Sequence, residues 1–162
     1  MSTVRFVFPK PRLAELLKMP GGLPVAEALE RAQRSLEEIK PTCIAELQAL
    51  LELSEARFEA MGEAPDPETI LELYAVVVRG IGGGQVCGAP AVDEVLTSLC
   101  DLLDALRTQG RFERDAIGVH LSAWRLLVGG TLPPEAAESI LAGLGKVSAR
   151  FAASPPPSSA SE

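Results

Sequence analysis

Apolar residues recur every three or four positions along most of the chain, and polar residues fill the gaps between them. This is the period of one face of an amphipathic helix. After Pro24 the period begins a stripe that consists of Val25, Ala28, Leu29, Ala32, Leu36 and Ile39. It continues past Pro41, a residue type that kinks or ends a helix. The pattern therefore predicts either one bent helix or two helices over 25–60.

Four further stretches show the same period, and short segments that contain glycine or proline separate them. They lie at about 66–83, 90–108, 113–128 and 133–151. Asp66 followed by proline is a strong helix start, and Gly110 is a strong helix end. Because short connections make neighbouring helices antiparallel, we predict an all-α, up-and-down bundle of five or six helices.

Prolines and small polar residues divide the chain into three parts. Residues 1–24 are expected to form an irregular arm, with an extended segment at 4–8 and one or two helical turns at 12–18. Residues 25–152 carry the helical period and are expected to form the bundle domain. Residues 153–162 are rich in proline and serine, which predicts a disordered tail.

The amino-acid composition disfavours several classes of fold and of binding partner for this chain. Hydrophobic residues make up 47% of the chain and aromatic residues only 4%, which favours packed helices over a β-sandwich. The formal net charge is -7, so neither nucleic acid nor an anionic membrane surface is an expected partner. By inspection no apolar run approaches the ~20 residues of a membrane span. We expect a soluble cytoplasmic protein that meets its partner through a specific patch.

The inventory of metal-ligating residues is small. Three widely spaced cysteines, Cys43, Cys87 and Cys100, and one histidine, His120, do not match the ligand spacing of a zinc site. We therefore expect no metal site and no cofactor. The cysteines are interpreted as buried small apolar residues in a reducing compartment.

His120 is the one candidate for acid–base or phospho-acceptor chemistry at a histidine. Its helical neighbours at three and four positions are Ala116, Ile117, Ala123 and Trp124, all apolar. This setting favours a half-buried packing histidine. A phospho-accepting His120 stays open as the alternative.

The glycine-rich segment 80–88 invites comparison with a phosphate-binding loop. A dinucleotide loop needs a third glycine where this chain has Gln85, and a P-loop needs Gly-Lys-Ser/Thr where this chain has Gly88 and an alanine. The segment is better explained as a flexible helix end or as a point of close backbone approach.

Acidic residues are frequent on the helix at 90–108. They are Asp93, Glu94, Asp101 and Asp104. Their simplest interpretation is a solvated helix face, and a cation site built from them is the alternative. Tyr74 and Trp124 are interpreted either as core residues or as binding anchors.

The stretch from Leu73 to Arg107 combines a helix, a glycine-containing turn at 88–92 and a leucine-rich packing face. In this layout it resembles a histidine-phosphotransfer (HPt) domain. That family exposes a histidine on a four-helix bundle, followed by lysine three residues later and glycine four residues later. Its spacing places Val78, Ile81 and Gly82 at these positions. The resemblance implies an HPt-like four-helix core that cannot carry phosphate at the usual place, because valine has no nucleophile.

Three strings, at 20–28, 98–104 and 116–127, carry a second resemblance. They read Pro-Gly-Gly-Leu-Pro-Val-Ala-Glu-Ala, Ser-Leu-Cys-Asp-Leu-Leu-Asp and Ala-Ile-Gly-Val-His-Leu-Ser-Ala-Trp-Arg-Leu-Leu. With them the chain resembles the CheE family of alphaproteobacterial chemotaxis proteins. This resemblance implies a chemotaxis setting and no defined reaction.

Together these observations predict a non-catalytic adaptor or regulator of chemotaxis or two-component signalling. Its expected partner is a response-regulator receiver domain or a histidine kinase. The expected partner-binding residues are Tyr74, Val78, Ile81, Gly82 and Gly88. Two alternatives remain: a histidine phosphotransferase that uses His120, and a structural module in which the 25–60 helices of a homodimer pair.

Overall fold

The computed structural model describes residues 21–130 and 132–152, of which 83% are helical, and it contains no strand among them. The predicted all-α class is therefore confirmed. The extended segment at 4–8, the turns at 12–18 and the tail at 153–162 lie outside the described residues.

The described residues form six α-helices and one 3₁₀ turn. These are α1 (Val25–Ala60), α2 (Pro67–Val77), the 3₁₀ turn (Val78–Gly80), α3 (Gly83–Cys87), α4 (Pro90–Gln109), α5 (Arg114–Val128) and α6 (Pro134–Ala152). Contacts divide the chain into two compact units, residues 1–35 and 36–162.

Helix α1 runs through Pro41 without a break in its helical assignment, so the 25–60 region is one helix and not two. The periodicity did not indicate which part of its apolar stripe is covered. In the first unit, Val25 is 76% exposed and Leu29 is 64% exposed. In the second unit, full burial on this helix begins only at Leu47.

Helix α4 occupies the middle of the second unit, where it packs against α2, α3, α5 and α6. The apolar face predicted from the sequence is confirmed, because all seven of its residues are buried. They are Val92, Val95, Leu96, Leu99, Leu102, Leu103 and Leu106. Gly110 ends the helix as predicted, with a left-handed φ of 62° that glycine adopts without steric cost.

Helix α2 begins as predicted and ends earlier than predicted. The Asp66 carboxylate accepts a hydrogen bond from the Thr69 amide at 2.7 Å, which lowers the pKa of Asp66. The helix ends at Val77 instead of continuing to 83. After the 3₁₀ turn the backbone is extended at Ile81, and Gly82 then takes a φ of 94°, which no α-helix can contain.

Candidate functional site

A row of exposed apolar side chains follows α2 and the turn after it. It consists of Leu71, Tyr74, Val78 and Ile81, and we call it the α2 ridge. Leu71, Val78 and Ile81 are each 40–42% exposed, and Tyr74 is half-buried. Intervals of three and four residues place Leu71, Tyr74 and Val78 on one side of α2 and the turn after it. Ile81 follows them along the chain in extended backbone. Three of the five predicted partner-binding residues therefore belong to the ridge.

A shallow hollow adjoins the ridge beside Tyr74. Its volume is about 250 Å³, and it lies between α2 and α4. Its walls are Ile70, Leu71, Tyr74, Leu103, Asp104 and Arg107. Arg107 donates to Asp104 at 2.9 Å, so the rim carries a paired charge beside an apolar wall. Such a hollow suits a partner side chain whose apolar part contacts the wall and whose polar group reaches the charged rim.

The two predicted glycines are placed differently. Gly82 directly follows Ile81 and is exposed at the end of the α2 ridge. Gly88 lies on the rim of another hollow, of about 370 Å³, which is lined mainly by residues of α4, α5 and α6 such as Ala91 and Leu141. Tyr74, Val78, Ile81 and Gly82 are therefore close to one another along the chain, whereas Gly88 lines a separate hollow.

The glycine-rich segment is held by a single carboxylate, that of Asp93. Its Oδ1 accepts hydrogen bonds from the amides of Gly82 at 2.9 Å and Gly84 at 3.0 Å, and its Oδ2 accepts one from Gln85 at 2.8 Å. We call this arrangement the Asp93 clamp. Hydrogen bonds to an ionised acceptor are stronger than those between neutral groups, so the clamp fixes the course of the chain between α2 and α4.

Gly84 is required by this close approach. A Cβ atom at this position would lie 2.6 Å from the carbonyl oxygen of Ala89 and 2.9 Å from the Asp93 carboxyl carbon. Both distances are shorter than any relaxed contact. The interpretation of the segment as a place of close backbone approach is therefore confirmed at Gly84.

The clamp also corrects the interpretation of the acidic helix. Asp93 does not belong to a solvated face, because its carboxylate is half-buried and bound to three amides. Those amides are the groups that would receive a phosphate in an anion-binding loop, and Asp93 already occupies them. Glu94, Asp101 and Asp104 are exposed, as expected of a solvated face. The described residues contain no cluster of three metal-ligating side chains.

His120 is fully buried, more deeply than the half-buried position expected from its neighbours. Its Nδ1 atom lies 2.7 Å from the Ala116 carbonyl oxygen and its Nε2 atom lies 3.0 Å from Ser98 Oγ. Because a carbonyl only accepts, Nδ1 carries the proton and Nε2 accepts from the Ser98 hydroxyl. Ser148 Oγ is 2.8 Å from Ser98 Oγ and completes the chain of hydrogen bonds.

This environment keeps the imidazole neutral. Burial lowers the pKa of His120, and the hydrogen bond to Ala116 offsets that effect in part. Both ring nitrogens are occupied, so the ring has no free nitrogen to offer to a phosphoryl group. Ser98 and Ser148, which complete the network, were not identified from the sequence because they lie 22 and 28 residues away from His120.

Two of the three cysteines lie together. Cys43 on α1 and Cys87 on α3 both place their sulfur atoms against the carbonyl oxygen of Gly83, at 3.3 Å and 2.8 Å. Both are partly exposed, contrary to the expectation of burial, whereas Cys100 is buried as expected. Burial raises the pKa of Cys100 to about 11.

One segment of the described residues, Pro67–Cys87, is long and apolar enough to cross a membrane by length and composition alone. Its most apolar stretch has a mean hydropathy of 1.3, and 33% of that stretch is buried. The expectation that no segment reaches this range is therefore wrong. The segment comprises α2, the 3₁₀ turn and α3, and the extended Ile81 and left-handed Gly82 interrupt it. Its apolar residues are divided between the core and the α2 ridge.

No family model matches this chain, and neither a curated protein nor a solved structure does. The resemblances to the HPt and CheE families therefore stay predictions.

The buried His120 predicts a specific pH dependence of folding. The unfolded chain binds a proton at the ordinary pKa of 6.5, whereas the folded chain resists protonation. The free energy of unfolding should therefore fall as the pH drops below 6.5, by at most about 1.4 kcal/mol per pH unit, until the lowered pKa of the folded state is passed.

Urea denaturation at a series of pH values measures this slope. His120→Gln removes the titrating group, so its unfolding free energy should be lower overall but flat over the same window, since the chain has no other histidine. A wild-type stability that does not change between pH 6.5 and the carboxylate range contradicts the buried neutral imidazole.

Proposed function

We propose that this chain is a non-catalytic helical adaptor of bacterial chemotaxis or two-component signalling that binds a receiver domain through the α2 ridge. The observation that carries the proposal is the exposure of Val78. The HPt resemblance assigns this residue to the phospho-acceptor position, and its side chain is 40% exposed. A receiver domain docking there would meet an apolar side chain where a phosphotransfer domain presents histidine.

The chemistry of the ridge supports protein binding. Leu71, Val78 and Ile81 remain exposed although the neighbouring Ile70, Leu73 and Val77 are buried. Exposed apolar groups that lie together mark interaction surfaces more often than isolated ones do. Gly82, at the end of the ridge, adds no side chain that would hinder the approach of a partner.

The arrangement of helices fits the HPt-like core that belongs to this proposal. Helix α4 packs against α2, α5 and α6, which makes four helices of the second unit available for an up-and-down bundle. In that bundle α2 is the acceptor-like helix and α4 is the leucine-rich helix that follows the turn. The adaptor would then act in the cytoplasm, where receiver domains and histidine kinases meet.

The environment of His120 disfavours the alternative of a phosphotransferase that uses this residue. The ring is fully buried, its Nδ1 atom is bound to a carbonyl oxygen, and its Nε2 atom is bound to Ser98. Phosphorylation requires a nitrogen lone pair that an incoming phosphoryl group can reach. The surface of the protein, and no reactive group, then performs the function.

Titration of the protein with purified receiver domains and histidine kinases of the source bacterium tests the adaptor. A receiver domain should bind, and Val78→Glu should weaken binding by about 10- to 100-fold, since an apolar contact of about 1.5–3 kcal/mol is lost. Leu126→Glu is the matched control, because Leu126 is 53% exposed on α5, outside the ridge. Failure of every receiver and kinase to bind, or equal weakening by both variants, contradicts the proposal.

A homodimer through α1 is the second candidate, and a specific observation favours it. Val25, Leu29, Leu36 and Ile39 are each exposed within their own unit, between 46% and 76%. With Ala32 they recur at intervals of four and three residues, which is the heptad spacing of a coiled-coil seam. Ion pairs such as Arg31–Glu27 and Arg34–Glu30 join residues that are not part of this seam.

Sedimentation equilibrium tests whether the protein forms this homodimer. A coiled-coil pairing predicts a monomer–dimer equilibrium that Leu29→Asn shifts towards monomer, since an apolar seam residue is replaced by a polar one. Leu126→Asn, a substitution of the same type on exposed α5, should leave the equilibrium unchanged. A monomer at every protein concentration excludes the homodimer and leaves the receiver-binding proposal intact.

A further inference from the structure

The two partly exposed cysteines share one hydrogen-bond acceptor. Cys43 Sγ lies 3.3 Å from the Gly83 carbonyl oxygen, and Cys87 Sγ lies 2.8 Å from the same atom. Their sulfurs are therefore separated by no more than the sum of these two distances. The two residues are 44 positions apart in the chain, so the fold and not local sequence brings the thiols together.

The backbone around Cys87 allows the sulfurs to approach further. A disulfide needs sulfur atoms about 2.05 Å apart and Cα atoms within about 7 Å, and both side chains here already converge on one oxygen atom. Cys87 is the last residue of the five-residue helix α3 and lies beyond the three amides that the Asp93 clamp holds. Gly88 follows it with a positive φ, so closure of the disulfide would move this end of the helix and leave the clamp in place.

The environment of Cys87 disfavours its thiolate form. Burial, then the neighbouring Cys43 thiol, and also the negative charge of Asp93 raise the pKa of Cys87. The thiolate is the nucleophile in thiol oxidation, so reaction should be slow at neutral pH. Once one sulfur is oxidised, the other is the closest nucleophile available to it.

We propose that Cys43 and Cys87 form a site of reversible oxidation that takes hydrogen peroxide and closes to an intramolecular disulfide. One thiolate attacks a peroxide oxygen, the O–O bond breaks, and hydroxide leaves to take up a proton as water. The resulting sulfenic acid is attacked by the second thiolate, the S–S bond forms, and a second water leaves. Two thiols lose two electrons and two protons, and one peroxide is reduced to two water molecules.

The disulfide would tie α1 to the short helix α3 directly beside the Asp93 clamp. This inference does not depend on a receiver domain, because it concerns only the two thiols and the oxidant. In the oxidised protein the cross-link would also constrain the unfolded chain, so the oxidised form should melt at a higher temperature than the reduced form.

Mass spectrometry of peroxide-treated protein, prepared at mildly alkaline pH to supply thiolate, tests the proposal. The intact mass should fall by two hydrogen atoms and recover with dithiothreitol. Digestion without reductant by a protease that cuts after glutamate separates Cys87 from Cys100 at Glu94, and the cross-linked peptide should then contain Cys43 and Cys87.

Two variants make the outcome decisive. Cys100→Ala should form the same cross-link, because Cys100 is buried and takes no part. Cys87→Ser should form no intramolecular disulfide, so its intact mass should not fall by two hydrogen atoms. Circular dichroism checks that this variant is folded. Three results would overturn the proposal. The peptides that contain Cys43 and Cys87 could remain unlinked after oxidation, a disulfide could form with Cys100, or all thiols could stay reduced.

Discussion

The Asp93 carboxylate holds together the part of the molecule on which the other features depend. The amides of Gly82, Gly84 and Gln85 in the glycine-rich segment donate to its two oxygens, at 2.8–3.0 Å. This interaction accounts for the early end of α2, for the left-handed Gly82 and for the short helix α3. It also sets the position of Ile81 at the end of the α2 ridge and of Cys87 beside Cys43. Without it, the amides of Gly82, Gly84 and Gln85 would lose this acceptor, and the first N–H groups of a helix have no partner within the helix.

Two side chains that could have carried chemistry, those of Asp93 and His120, are satisfied internally. The Asp93 carboxylate is bound to amides, and the imidazole of His120 lies between the Ala116 carbonyl and the Ser98 hydroxyl. Groups held in this way stabilise a fold and are poorly placed for catalysis. Exposed apolar side chains on α2 and α1 are among the features that the packing of the described residues does not use. They favour an interaction protein, which agrees with the signalling role that the sequence resemblances imply.

The sequence was informative where structure follows from local periodicity. The buried face of α4, the Asp66 cap and most helix positions depend on residues within a few positions of each other, and these were predicted. The end of α2 at Val77 and the short helix α3 were not. Whether a helix face is buried depends on tertiary packing. The exposure of Val25 and Leu29 could therefore not be predicted from the sequence. The same holds for Ser98 beside His120 and for Cys43 beside Cys87. Asp93 could have been inferred only from its place in the first turn of α4, close in sequence to a run of glycines.

Leu71 shows how a local signal can be missed at a candidate site. It lies three residues before Tyr74, the spacing that joins side chains on one helix surface. The spacing of Leu71, Tyr74 and Val78 was therefore visible in the sequence, whereas the extended backbone at Ile81 was not. The pattern was apolar on several sides, however, and periodicity does not separate a core face from an exposed one. Only the burial of Ile70, Leu73 and Val77 identifies which face is free.

Backbone amide hydrogen exchange, followed residue by residue by NMR, tests the role of Asp93 most directly. In the wild type the amides of Gly82, Gly84 and Gln85 should exchange slowly. Asp93→Asn should accelerate all three by about 5- to 150-fold, which corresponds to a loss of about 1–3 kcal/mol. Asp101→Asn, on the exposed side of the same helix, should leave them unchanged. Equal exchange at these three amides in wild type and Asp93→Asn would contradict the account.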